Sequence, residues 1–202
     1  MKILFVLFMF NFALCFRPKN IIIPSSSLQT KLWRKQQPWY IDGKHNECEI
    51  YQKGLIKDIT GYNCKKTDKR INIHTKNIYP LKQPMKYSNG FEYTENFDGL
   101  INTPKRDYYF NLKIICDSGG AQNRYLRNLY YFIAQQLQHV KKYNSFYEDN
   151  IRFVNILDGD TCSKNMEKFY FLLDKKEYKQ VQDKVFVGDM KEFQDFWDIS
   201  EN

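Results

Sequence analysis

The sequence predicts an α/β fold, and its C-terminal half contains the observations behind this prediction. From residue 108 onward, short runs of aromatic and β-branched residues alternate with segments whose apolar residues recur every three or four positions. This alternation is typical of neighbouring parallel strands that are joined by helical crossovers. The length of 202 residues predicts a single domain with a substantial core.

The strands are predicted from runs of apolar, aromatic and β-branched residues. Residues 91–95 alternate between aromatic and polar side chains, as a half-buried strand does. Residues 108–116 form a longer run that ends shortly before a Gly-Gly pair, and residues 151–157 and 184–188 form two further runs. The acids of Asp158-Gly159-Asp160, which follow the third run, are interpreted as loop residues.

The helices are predicted from apolar residues at helical spacing. Residues 121–142 form the longest such segment, and one face of it contains Leu126, Leu129, Tyr130, Ile133, Leu137 and Val140. Residues 163–175 predict a second helix, and residues 190–197 begin a third. Residues 42–90 are ambiguous, because either short strands or a helix near residues 47–59 would suit their pattern.

The N-terminus predicts a signal peptide over residues 1–15. Its apolar run, residues 3–16, is shorter than the roughly 20 residues of a membrane span, so stable membrane insertion is not expected. Ala13-Leu14-Cys15 suits a cleavage site. A buried N-terminal strand or helix is the alternative, and an uncleaved anchor is another.

Residues 16–40 predict a basic, transit-like linker. They contain serines and basic residues but no acid, and the first acid of the chain is Asp42. This composition is typical of organelle transit peptides. Together with Phe16-Arg17-Pro18 it resembles the two-part presequence of algae with secondary plastids, which implies a plastid location. Plain secretion is the alternative.

The net charge indicates a class of partner but does not identify one. The net charge of +8 favours an anionic partner, most commonly nucleic acid, although a Lys- and Asn-rich composition alone would give the same charge.

Cys48 and Cys64 would form a disulfide only in an oxidising compartment, so their state stays open. Their spacing with His45 and His74 fits no common zinc pattern.

A candidate catalytic site lies where the first two predicted strands meet. Asp98 follows the first strand, while Asn111 and Lys113 lie on one face of the second. Hydrolysis of a phosphodiester needs a metal-binding acid and a cation beside the attacking water. A lysine inside an apolar strand is costly to bury without a partner, and Asp98 is the natural one. The alternative is that Lys113 reaches solvent at a sheet edge.

The residues around this site resemble the PD-(D/E)xK nuclease family, in particular the type II restriction endonucleases. The resemblance covers about half of the chain and rests on Glu95–Gly99, Phe110–Lys113, Gly119–Arg124, Phe153–Gly159, and Phe186–Asp189 ahead of Phe193 and Trp197. It implies a central mixed β-sheet flanked by helices in α-β-β-β-α-β order. It also implies a Mg²⁺-dependent DNA endonuclease, often a homodimer, in a single domain of residues 41–202 with its core in 91–202.

The same resemblance assigns the site residues. Asp98 and Asn111 would bind Mg²⁺, and Lys113 would hold or activate the attacking water. Asn111 stands where the family usually has Glu or Asp, and an amide is a weaker Mg²⁺ ligand, so Glu95 or Glu92 could supply the missing charge. Asp117 could supply it too, although its place at the strand end favours a role in the turn. A catalytically inactive nucleic-acid-binding relative is therefore one alternative. A secreted or organellar interaction protein without a nucleic-acid role is another.

The start of the long predicted helix supplies candidate DNA contacts. Gln122, Arg124 and Arg127 lie in its first turns, where helix N-termini and arginine side chains favour phosphate. A solvated helix face is an equally good interpretation of these residues.

Overall fold

The computed structural model describes residues 27–42, 46–80, 91–117, 119–143 and 150–201. The predicted signal peptide and the first part of the predicted linker, residues 1–26, lie outside this range. No helix in the described part of the chain is long and apolar enough to cross a membrane.

The described residues contain six α-helices and six strands. The helices are α1 (Ser27–Gln36), α2 (Glu47–Thr60), α3 (Gly120–Lys142), α4 (Asp160–Ser163), α5 (Met166–Leu173) and α6 (Met190–Glu201). The strands are β1 (Lys69–Ile71), β2 (Ile78–Pro80), β3 (Gly99–Asn102), β4 (Asp107–Ile114), β5 (Ile151–Asp158) and β6 (Val185–Gly188).

The main sheet is mixed and has the strand order β3-β4-β5-β6. Strand β3 is antiparallel to β4, whereas β4, β5 and β6 are parallel neighbours. The predicted α/β class and its parallel neighbours are therefore confirmed. Strands β1 and β2 form a separate two-stranded sheet, so within the described residues only β3 and β4 of the main sheet precede the long helix.

Helices cover both faces of the main sheet and bury a core on each. On one face, α3 and α5 pack over the aromatic residues Phe97, Tyr109 and Phe153. On the other, α2 and α6 pack over Phe110 and its neighbours. Successive residues of β4 enter opposite cores, as the alternation of side chains along a strand requires.

The first strand does not lie where the sequence predicts it. Residues 91–95 form no strand, and their one ladder contact is an isolated bridge between Tyr93 and Asn72. The strand that pairs with β4 is Gly99–Asn102, only four residues long. The alternation in residues 91–95 reflects irregular contacts with β1, since the amide of Thr94 donates to the carbonyl of Ile71.

The second predicted helix, residues 163–175, is shorter in the structure, and a separate one-turn helix precedes it. Residues 166–173 form α5, and residues 160–163 form α4, with a turn at Lys164 and Asn165 between them. The long helix, β5, β6 and the start of α6 lie within a few residues of their predicted positions. The ambiguous segment near residues 47–59 is helix α2, which ends at Gly61 in the left-handed conformation, with φ +76.

Helix α1 belongs to the packed structure although the sequence places it in a linker. Trp33 lies edge-on to Trp39, and Trp39 stacks on Tyr51 of α2 with ring centroids 4.6 Å apart. Lys31 forms an ion pair with Asp117 at 2.9 Å. Residues 27–40 of the predicted linker therefore pack against the domain, because their aromatic side chains have partners there.

Candidate active site

Asp98 and Lys113 meet where β3 begins and β4 approaches its end. The Lys113 Nζ lies 3.0 Å from the Asp98 Oδ2, and the same oxygen accepts the backbone N–H of Leu112 at 2.7 Å. The backbone N–H of Asp98 donates to the carbonyl of Phe110 at 2.8 Å. The pairing of Lys113 with Asp98 that the sequence predicts is present, and hydrogen bonds to β4 fix the carboxylate.

Lys113 is held in its charged form. Burial disfavours the charge, but the nearby Asp98, Glu95 and Tyr125 favour it, as does the hydrogen bond to Asp98, and together they raise the pKa of Lys113 above its usual value. Lys113 is therefore an ammonium group at neutral pH. It can donate hydrogen bonds and stabilise negative charge, but it cannot accept a proton.

The ion pair lies on the wall of a cleft with a volume of about 890 Å³. The cleft lies between α1, α2, the end of β4 and the start of α3. Of the predicted site residues, Asp98, Lys113, Glu95 and Gln122 line it. Tyr125, one turn along α3 from Gln122, lines it as well. The predicted acid, lysine and first DNA-contact residue therefore share one concave surface.

Asn111 lies below this surface rather than on it. Its side chain is 1% exposed, and its Nδ2 donates to the Asn155 Oδ1 at 3.1 Å. Asn155 also exchanges hydrogen bonds with Gln136 of α3. The Oδ1 of Asn111 has no hydrogen-bond partner within the described residues. The structure therefore places Asn111 in a buried amide network, with one acceptor left unsatisfied.

Two predicted DNA contacts lie outside the cleft. Arg124 and Arg127 are exposed on α3, and Arg127 lines a separate depression between α3 and α5. Of the three predicted contacts, Gln122 is the one that lines the cleft.

Helix α2 adds polar residues to the cleft that the sequence did not single out. Glu49 lines it and accepts a hydrogen bond from Lys53 at 2.6 Å, one helical turn away. Gln52 also lines it, and its Nε2 donates to the Asp158 Oδ2 at 2.7 Å and to the Lys113 carbonyl at 3.4 Å. No local pattern identified these residues, because α2 itself was ambiguous.

Helix α1 contributes a cation to the same cleft. Arg34 lines it, donates to the Cys48 sulfur at 3.8 Å and lies 5.6 Å from the ring centroid of Tyr40. Cys48 and Cys64, whose pairing the sequence leaves open, are both free thiols in the structure.

Asp158 and Asp160 are buried, which corrects their interpretation as loop residues. Asp158 is the last residue of β5, and it accepts hydrogen bonds from Gln52 and from the backbone N–H of Met190 at the start of α6. Burial raises the pKa of Asp158 to about 7, although both hydrogen bonds oppose the shift. Asp158 thus connects α2 and α6 at the end of the sheet.

The donor atoms around the ion pair fit Mg²⁺ better than zinc. In the described part of the chain, no three His, Cys, Asp or Glu side chains are grouped so as to hold a metal ion by themselves. Mg²⁺ needs fewer, because it binds through one or two carboxylates and keeps several waters. The Asp98 Oδ1 accepts no hydrogen bond from the described residues, and the buried Gln52 Oε1 and Asn111 Oδ1 are likewise unpartnered.

Comparison of the chain with protein-family models, with curated proteins and with solved structures gives no match.

Proposed function

We propose that this protein is a Mg²⁺-dependent endonuclease that hydrolyses phosphodiester bonds in DNA, with a restriction-endonuclease-like core. The observation that supports it most is the ion pair between Asp98 and Lys113 in the wall of an acid-lined cleft. A half-buried carboxylate can hold a metal ion, and a lysine that is charged at neutral pH can stabilise the charge that develops on the phosphate, which are two functions that this chemistry uses. The hairpin of β3 and β4, followed by α3 and a parallel β5, is compatible with such a core.

Asp98 is the residue proposed to hold the metal. Its Oδ2 is used by Lys113 and the Leu112 amide, which leaves Oδ1 for an ion. When bound, Mg²⁺ would polarise a phosphoryl oxygen and lower the pKa of a bound water. The Asn111 Oδ1, which is buried below the cleft, would be a second, uncharged ligand of the ion, as the resemblance implies.

Lys113 is proposed to position the attacking water and to stabilise the charge that develops on the phosphate. Its raised pKa excludes it as the general base, so its role is electrostatic. Because Nζ is anchored on Asp98 Oδ2, its remaining protons are available to a substrate oxygen.

Glu49 and Glu95 are proposed to supply the second negative charge that Asn111 lacks. Both line the cleft: Glu49 lies on α2, and Glu95 lies three residues before Asp98 in the segment that precedes β3. Both charges complement a divalent cation; Glu95 also acts on Lys113, and Glu49 would share its carboxylate between the cation and Lys53. Arg34 on α1 and Gln122 on α3 both line the cleft and are suited to bind phosphate oxygens.

Incubation of supercoiled plasmid with the full chain and Mg²⁺ or Mn²⁺ tests the proposal. Wild type is expected to give discrete fragments, and Asp98→Asn and Lys113→Gln are expected to give none. Asp174→Asn, which changes an exposed acid away from the cleft, is the matched control and should cut normally. Equal cleavage by wild type and Asp98→Asn would contradict the proposal.

The second candidate is a nucleic-acid-binding relative without catalysis, and the neutral Asn111 favours it. Salt-dependent DNA binding without cleavage, under conditions where calorimetry detects no Mg²⁺ binding, would support this candidate. If DNA neither binds nor is cut, the third candidate, an interaction protein, becomes the leading one.

Cleavage of both strands would be easiest for a homodimer, which sedimentation would detect.

A further inference from the structure

A second depression lies between the first turns of α3 and helix α5. Its volume is about 630 Å³, within the range of sites for small organic groups. Leu126 and Phe169, both buried, form its floor together with Tyr130, whose ring centroid lies 6.5 Å from that of Phe169. The floor is therefore apolar and partly aromatic.

The rim of this depression is polar and mostly positive. Arg127 and Lys168 line it, and Glu167 is the acid that lines it. Lys168 donates to the Asn165 Oδ1 at 2.6 Å, an uncharged partner that leaves its charge unneutralised. Phe171, which also lines the depression, is 69% exposed. An apolar floor, two cations and a free aromatic ring thus lie together.

The depression and the cleft lie on opposite sides of the same helix. Gln122 and Tyr125 face the cleft, whereas Leu126 and Arg127 face the depression. Arg124 is exposed, and at 100° per residue it lies on the outer face of α3 between the two groups. Neither Arg124 nor Arg127 pairs with an acid among the described residues, so both charges are available along this path.

We propose that the depression binds an unpaired nucleobase of a nucleic-acid strand that leaves the cleft across α3. The base would lie on the apolar floor and stack on Phe171, while Arg124, Arg127 and Lys168 bind backbone phosphates. A helix is about 10–12 Å wide, so the base lies a few nucleotides along the strand from the cleft. This inference rests on the proposed function for the identity of the strand.

Charge complementarity favours nucleic acid over a second copy of the chain. Arg127 and Lys168 on the rim, together with Arg124 on the neighbouring face of α3, would repel the same surface of another copy. The chain as a whole also has a net charge of +8. Every nucleobase has an aromatic face, so the pocket would accept bases without strong sequence preference. A fully paired duplex would have to flip a base out to fill it.

The test measures binding of the full chain to a fluorescent single-stranded oligothymidylate in EDTA, where no metal-dependent cleavage occurs. Phe171→Ala is expected to weaken binding about tenfold, the effect of losing one base–aromatic stack. Arg127→Gln is expected to lower the slope of log affinity against log salt by about one. Phe91→Ala and Lys191→Gln, an exposed ring and an exposed cation outside both sites, are the controls.

An oligonucleotide with one abasic position locates the base. At one position of the oligonucleotide, the abasic change should weaken binding to wild type. It should weaken binding to Phe171→Ala little further, because the abasic change and the substitution remove the same base–aromatic stack. Equal effects of Phe171→Ala and Phe91→Ala would overturn the inference. The inference would also be overturned if Phe171→Ala changed the sedimentation of the protein but not its affinity for the oligonucleotide, because the occupant of the depression would then be a second copy of the chain.

The outcome is independent of plasmid cleavage. A plasmid that is cut normally, together with unchanged oligonucleotide binding by Phe171→Ala, would overturn this site and leave the nuclease proposal standing. An uncut plasmid with the expected binding changes would support the site and contradict the nuclease proposal. Because Phe171 is exposed, the alanine variant should unfold at the same temperature as wild type, which checks that it folds.

Discussion

Asn111 and Asn155 face each other across the parallel strands β4 and β5, with the Asn111 Nδ2 3.1 Å from the Asn155 Oδ1. Gln136 of α3 donates to that oxygen at 3.0 Å and accepts from the Asn155 Nδ2 at 2.7 Å. All three amides are buried. The network therefore ties α3 to the sheet below the ion pair, and it uses the amide of Asn111 as a donor.

Asn111→Asp should lower the stability of the metal-free protein. A carboxylate cannot donate to the Asn155 Oδ1, so one buried hydrogen bond is lost and a buried charge is added, at a cost of about 1–3 kcal/mol or more. If Asn111 lies within reach of the ion, Mg²⁺ should restore part of this loss. Urea unfolding with and without Mg²⁺ measures both effects. Asn128→Asp, on the exposed face of α3, is the control.

An Asn111→Asp variant that is as stable as wild type without metal would contradict the amide network. A destabilised variant that Mg²⁺ does not stabilise would remove Asn111 from the proposed metal ligands and leave Asp98 with Glu49 and Glu95.

Lys113→Met should slow cleavage strongly and also destabilise the fold. Removing the ammonium leaves the half-buried Asp98 carboxylate unpaired, and loss of one charge-stabilising donor costs about a hundredfold or more in rate. Lys113→Arg keeps the charge and should retain more stability than Lys113→Met. Plasmid cleavage and urea unfolding of the two variants separate the role of charge from that of shape.

The pH dependence of this pair has a definite sign. Because the folded pKa of Lys113 is raised, its stabilising effect is fully present below the usual lysine pKa of about 10.4 and is lost as pH rises through the folded value. The stability difference between wild type and Lys113→Met should therefore be constant from about pH 7 to about pH 9. A difference that shrinks in this interval would contradict the raised pKa.

The parts of the fold that the sequence predicted are those with strong local patterns. Helix α3 has a continuous apolar face, and β4 and β5 are long runs of aromatic and β-branched residues. Strand β3 was missed because it has four residues and depends on pairing with β4 rather than on its own composition. The apparent strand at residues 91–95 had the right alternation but no continuous partner.

The site was predictable where a local rule was broken. Lys113 in an apolar strand requires a partner, and that requirement identified Asp98. Glu49 and Gln52 break no such rule, and Gln52 contacts Lys113 across 61 residues of sequence. Asp158 was misread because an acid beside a glycine is typical of loops, whereas here the acid terminates a buried strand. Glu49, Gln52 and Asp158 reach the site through tertiary packing alone.

Gly99→Ala should displace the start of β3 and with it Asp98. A Cβ at this position would lie 2.2 Å from the Cys64 sulfur, so either the strand or the cysteine must move. The expected cost is about 1–3 kcal/mol, with a loss of cleavage beyond the loss of folded protein. Cys64→Ala removes the clashing atom, so the double variant should recover most of both. A double-mutant cycle by urea unfolding measures the coupling, and additive effects would contradict it.

Asp158→Asn should change how stability varies with pH. Since burial raises the folded pKa of Asp158 from the usual 3.8 to about 7, the native state keeps a proton that the unfolded chain releases. Wild type should therefore lose stability relative to Asp158→Asn as pH rises from about 4 to about 7, by on the order of 1 kcal/mol per pH unit. Above that interval the difference should be constant.

The asparagine can be accommodated because both neighbours have suitable atoms. Its oxygen can accept the Met190 amide, and its nitrogen can donate to the Gln52 Oε1 if that side-chain amide rotates, since this oxygen has no partner now. Urea unfolding at about pH 5 and about pH 8 measures the effect, with the exposed Asp174→Asn as control. A pH-independent difference between wild type and Asp158→Asn would mean that Asp158 is ionised throughout, held charged by Gln52 and the α6 amide.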